Sequence, residues 1–129
     1  MRAWRYKSLW LLATIIVTVA ASLALLLPPP LTPDMPLSSD YTKHLIGFFL
    51  LALWYFGLFE QRRWTTLVIG LCVYGAAAEV LQQVSDLGRE GDMLDALANM
   101  AGVAIGWLAA RLGGDRWPVL AESIMARLW

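Results

Sequence analysis

Between Asp86 and Asp95 the chain places Asp86, Arg89, Glu90, Asp92 and Asp95 within ten residues, and an apolar run carrying Asn99 and Gly102 follows at once. Just upstream, Glu79, Gln82 and Gln83 stand at i, i+3 and i+4, adjacent on one side of a helix. The single histidine is His44. Histidine beside Glu79 or Asp95 makes an acid/base pair if burial raises the carboxyl pKa toward neutrality, so these three are the catalytic candidates. The same three side chains offer donors to a divalent cation. No close ligand pair such as H-x-x-x-H accompanies them, so no metal and no cofactor is expected. Arg89, with Lys43, suits a phosphate or carboxylate. There is no G-x-S-x-G, phosphate-binding loop or zinc signature, so the residues define a polar pocket without naming a reaction.

Each candidate also has a plainer role. Asp92 fits a helix N-cap, and Asp95, three residues on, fits a capping-box position; both acids are favoured there by the helix dipole. His44 fits an interfacial histidine, and Asp86, Glu90 and Gln83 fit a solvated loop and helix end. Glu79 is harder to explain in this way. It lies five residues before Val84, about 7.5 Å inside the end of a helix, and an unpaired carboxylate in lipid is costly.

The lipid setting follows from composition. Of the 129 residues, 59% are hydrophobic and 16% charged, and mean hydropathy is +0.59. That apolar share exceeds the usual range for soluble domains. Net charge is zero, so no basic excess points to nucleic acid. The one cysteine, Cys72, excludes an internal disulfide and reads as a buried thiol.

The apolar residues gather into four spans, 9–27, 44–59, 64–84 and 93–112, each expected to be helical so that its backbone is satisfied in lipid. The first also resembles a signal peptide, with Arg2, Arg5 and Lys7 ahead of it and small Ser22 and Ala24 near its end. It is longer than an ordinary signal core, which favours a retained helix ended by Pro28, Pro29 and Pro30. Residues 31–43 read as a polar loop. Arg2, Arg5, Lys7, Arg62, Arg63, Arg111, Arg116 and Arg127 would share one side of the membrane, against Lys43 and Arg89 on the other. By the positive-inside rule both termini are cytoplasmic. Trp10, Trp64, Trp107 and Trp117 near span ends suit an interfacial belt. The expectation is an all-α integral membrane four-helix bundle with short loops over residues 1–112. A cytoplasmic tail at 113–129 follows; its apolar spacing fits either a short interfacial helix or a frayed end.

In this topology the polar groups collect at the outer ends of the second, third and fourth spans. Asp95, Asn99, Gly102 and Gly106 form one stripe, polar in its outer half and glycine in its inner half, where a neighbouring helix can approach closely.

At these residues the sequence resembles the VanZ-like family of small bacterial membrane proteins. Residues 88–106 (GREGDMLDALANMAGVAIG) are similar to the family's R-x-G-D-x-x-D-x-x-A-N-x-x-G-x-x-x-G run. Glu79 to Gln82 resembles its E-x-x-Q, and Asp40 with His44 resembles its D-K-x-x-H, with Tyr41 where the family has lysine. The resemblance covers about residues 40 to 110 and singles out Asp40, His44, Glu79, Gln82, Arg89, Asp92, Asp95 and Asn99 as binding residues. It implies a multi-pass protein of the bacterial cytoplasmic (inner) membrane with a cell-envelope role, and the family name is linked to teicoplanin-type glycopeptide resistance. The first functional reading is an accessory protein whose outward-facing pocket binds an envelope lipid or glycan headgroup. The alternatives are an enzyme acting on a lipid-linked envelope precursor and a small proton-coupled transporter subunit, the last of which needs oligomerisation.

Overall fold

The computed structural model describes residues 1–2, 4–26, 40–84 and 93–128. The described residues form five α-helices: α1 (Lys7–Leu26), α2 (Asp40–Leu58), α3 (Trp64–Val84), α4 (Met93–Arg111) and α5 (Trp117–Leu128). No strand occurs among them. The first four are long and apolar enough to cross a bilayer. α2 begins at Asp40, four residues before the apolar span, so Tyr41 to Lys43 are helical rather than loop. The S-S-D sequence at 38–40 is made of residue types that start helices, and an acid there is favoured by the dipole.

Short turns set the bundle's connections. After α2, Glu60 is extended and Gln61–Arg63 make one 3-10 turn into α3. Arg62 Nε donates to Glu60 Oε2 at 2.5 Å, and this hydrogen bond holds the Glu60 carboxyl below its usual range. α4 ends at Arg111, and two residues on Gly113 has a φ of 103°, a left-handed conformation that glycine adopts without steric cost.

The central contact is α2 against α4. Ala98, Gly102, Gly106 and Ala110 recur every four residues along α4 and all are buried. A Cβ on Gly102 would collide with the Leu45 carbonyl oxygen and meet Phe49 N at 2.9 Å; one on Gly106 would meet Ala52 Cβ at 2.7 Å. The two backbones therefore touch, which dispersion and close packing favour in a solvent that gives no hydrophobic drive. α3 closes the core with Trp64 and Leu71, packed with Phe48, Leu51, Phe56 and Val103.

α1 is attached differently. Trp10 is its one buried residue, while Leu12, Ile15, Ile16 and Leu23 are more than half exposed, as lipid-facing residues are. It is held by polar rungs four residues apart. Trp54 Nε1 donates to Thr14 Oγ1 (3.2 Å), Thr18 Oγ1 meets Tyr55 OH (2.8 Å) and Ser22 Oγ meets Tyr74 OH (2.8 Å).

The C-terminal segment folds back on the amino terminus. Glu122 of α5 accepts from Tyr6 N at 3.2 Å, Arg5 N at 3.4 Å and Trp10 Nε1 at 3.0 Å, so its carboxylate caps the start of α1. Arg2 pairs with Asp115 at 2.5 Å. This draws Trp10 into a cluster with Trp4, Trp54 and Trp117. Trp10 and Trp64 are thus 6% and 3% exposed, packed inside the protein rather than set in a surface belt.

Candidate functional site

Four of the residues singled out in the sequence are brought together. His44 lies in the second turn of α2, Glu79 near the end of α3, and Asp95 and Asn99 in the opening turns of α4. Antiparallel neighbours place those three ends side by side. Exposures are 2% for His44, 7% for Glu79, 9% for Asp95 and 1% for Asn99.

Asn99 is the hub. Its Nδ2 donates to Glu79 Oε1 at 3.1 Å, and its Oδ1 lies 3.0 Å from His44 Nδ1. An amide oxygen can only accept, so His44 carries a proton on Nδ1 and donates it to Asn99. The other ring nitrogen, Nε2, faces Asp95 Oδ2 at 3.6 Å. Glu79 Oε1 is 3.4 Å from His44 Nδ1, so the ring sits between two carboxyl groups on opposite edges. That divergence suits proton exchange. It does not suit a metal, and among the described residues no group of three or more His, Cys, Asp or Glu is placed to hold one.

The cluster is closed from below. A Cβ on Gly75 of α3 would meet Phe48 Cζ at 3.1 Å and Asn99 Cβ at 3.2 Å, so Gly75 lets the Phe48 ring press up under the amide. Phe48 and Val103, each 1% exposed, continue the seal.

Gln82 joins from another direction. It is 3% exposed, and its Nε2 donates to the Leu25 carbonyl at the end of α1 at 2.6 Å. Gln83 is exposed, as a solvated helix end should be. Asp40 opens α2. Arg89, Asp92, Asp86 and Glu90 lie outside the described residues. Sequence reasoning did not include α1 in this region; the four-residue spacing of Thr14, Thr18 and Ser22 in an otherwise apolar run was the available signal. It also missed Asp115 and Glu122, whose partners lie more than 100 residues away.

A family model, VanZ/LLP1, matches residues 4–114. The chain belongs to the VanZ/LLP1 family. No curated protein and no solved structure matches it. The VanZ/LLP1 match takes in α1 to α4 and the whole His44 cluster, and it stops before α5.

Proposed function

We propose that this VanZ/LLP1-family protein is an accessory protein of the bacterial cell envelope, embedded in the cytoplasmic membrane with both termini inside. It binds the headgroup of an envelope lipid at the end of the bundle where His44, Glu79, Asp95 and Asn99 meet. The observation that supports this most is that three helices each contribute polar side chains to one connected network at a single end, above an apolar seal. Burying four such groups in a membrane bundle is unfavourable unless they are paired or serve a ligand. The seal beneath speaks against a transporter path along the bundle axis. Arg89, in the sequence between α3 and α4, supplies the anion-binding charge. The test is to purify the full chain with its lipids and identify what co-purifies by mass spectrometry. A single headgroup class lost in Arg89→Ala supports the reading; a lipid profile equal to the bulk membrane in both overturns it.

One observation favours a second reading. His44 Nε2 lies 3.6 Å from Asp95 Oδ2, and an imidazole beside a carboxyl is the pairing that general acid/base catalysis on a lipid-linked precursor uses. Turnover of a candidate lipid phosphate, abolished in Asp95→Asn with the fold intact, would establish it.

A further inference from the structure

Of the five described helices, α5 alone is too short to cross a bilayer, with 12 residues. Its Val119, Leu120 and Ile124 are each more than half exposed. At 3.6 residues per turn they fall within about 140° of one another around the helix. We propose that this side of α5 is a docking surface for the anionic phospholipid headgroups of the membrane leaflet at the end of the bundle opposite His44. It does not rest on the headgroup reading above.

The depth of α5 selects a membrane surface. A Cβ on Gly57, one residue before the end of α2, would collide with Trp117 Nε1 and meet Pro118 Cγ at 3.0 Å, so α5 starts against the last turn of that span. One turn further on, Glu122 accepts from Arg5 N and Tyr6 N, just ahead of α1. Those two span ends are level with each other: Arg2 N and Trp4 Nε1 both donate to the Leu58 carbonyl, at 3.0 and 3.1 Å. Pro118 and Glu122, about 6 Å apart along the helix, are therefore held at one height, and α5 runs along the plane where the spans end. Trp107 and Arg111 mark that plane on α4, with the guanidinium 5.2 Å from the indole ring.

Charge selects the headgroup. Residues 111–128 hold three arginines and two acids. Both acids are engaged by the protein: Asp115 is 8% exposed and pairs with Arg2, and Glu122 caps α1. Arg111, Arg116 and Arg127 are exposed. The outward side of this segment thus offers cations beside apolar side chains, the pairing that holds an interfacial helix on anionic lipid. Arg127 lies on the same side as Leu120, and its long stem can run along apolar surface while the guanidinium reaches phosphate.

The test uses the full chain with Cys72→Ala and Leu120→Cys, carrying a nitroxide at position 120, in vesicles of phosphatidylcholine and phosphatidylglycerol. The nitroxide should collide more often with oxygen, which concentrates in the acyl region, than with a water-soluble nickel chelate. The wild type, extracted from the same vesicles and weighed by native mass spectrometry, should retain phosphatidylglycerol over phosphatidylcholine. Arg116→Gln combined with Arg127→Gln should lower that preference about fivefold, the worth of one cation at an anionic surface. Both arginines are exposed, so the variant keeps the fold. A nitroxide open to the chelate overturns the proposal, because α5 then faces water. A nitroxide shielded from both reagents also overturns it, in favour of a protein contact, and spin–spin broadening would identify a second copy as that partner. No preference for phosphatidylglycerol, or one that the double variant leaves unchanged, overturns the choice of an anionic headgroup.

Discussion

Asn99 Oδ1 lies 3.0 Å from His44 Nδ1, joining residues 55 positions apart in the chain. Because the same amide donates to Glu79, its oxygen is turned to His44 Nδ1, and the other ring nitrogen faces Asp95. One asparagine thus ties together side chains from three helices.

Replacing it should be felt at two partners together. Asn99→Leu is close in size but removes the amide from between His44 Nδ1 and Glu79 Oε1, and loss of such buried hydrogen bonds costs about 1–3 kcal/mol. Thermal unfolding in detergent should show a clear drop, with Asn99→Gln intermediate. An unchanged midpoint for Asn99→Leu would mean that the amide is not the hub.

Glu79→Gln keeps an oxygen for Asn99 Nδ2 while removing the charge. Stability should change by no more than about 1 kcal/mol, since one hydrogen bond is conserved. Under the binding reading the co-purifying lipid persists; under the enzyme reading turnover disappears. Loss of folding would place Glu79 in a purely structural role.

The α2–α4 seam predicts opposite signs for two identical changes. Gly102→Ala forces a methyl against the Leu45 carbonyl and Phe49 N and should destabilise by about 1–3 kcal/mol. Gly70→Ala meets open space and should stabilise by about 0.5–1 kcal/mol through helix propensity. Chemical denaturation of the two variants in one detergent gives the comparison.

At the opposite end, Glu122→Ala removes the acceptor for Arg5 N, Tyr6 N and Trp10 Nε1. Loss of a helix cap costs about 0.5–2 kcal/mol. Hydrogen exchange should rise at the first turn of α1 and along α5, leaving α2 to α4 protected. Faster exchange spread over the whole bundle would contradict a local cap.

The positive-inside expectation for the basic residues can be tested directly. A cysteine at position 88, in a chain with Cys72 replaced, should react with a membrane-impermeant reagent from outside the cell, and one at position 62 should not. The reverse pattern would turn the His44 cluster to the cytoplasm.

Much of this arrangement was legible in the sequence because it rests on period. Spans announce themselves by length, and Asp95, Asn99, Gly102 and Gly106 share a helical stripe that the structure buries together. Meeting of His44 with that stripe followed from antiparallel helices placing their like-side ends together. Hydrogen-bond identity was not legible: nothing in spacing says that Asn99, rather than Asp95, contacts His44 Nδ1. The Glu122 cap was hidden for a different reason. A carboxylate in a mixed polar tail has no periodic signature, and its partners are backbone amides that every residue possesses. Trp10 was misjudged as a belt residue because position near a span end does not reveal that a distant helix covers it.

The rungs that hold α1 all run one way. Thr14, Thr18 and Ser22 each donate to their own helix, to the carbonyls of Trp10, Thr14 and Thr18. They therefore only receive from Trp54, Tyr55 and Tyr74. Were α1 to swing outward, its own hydroxyls would stay satisfied in oil, and the bare donors would be left on α2 and α3. Along these rungs the need for a partner lies with the donors of α2 and α3, and the α1 hydroxyls are the acceptors that meet it.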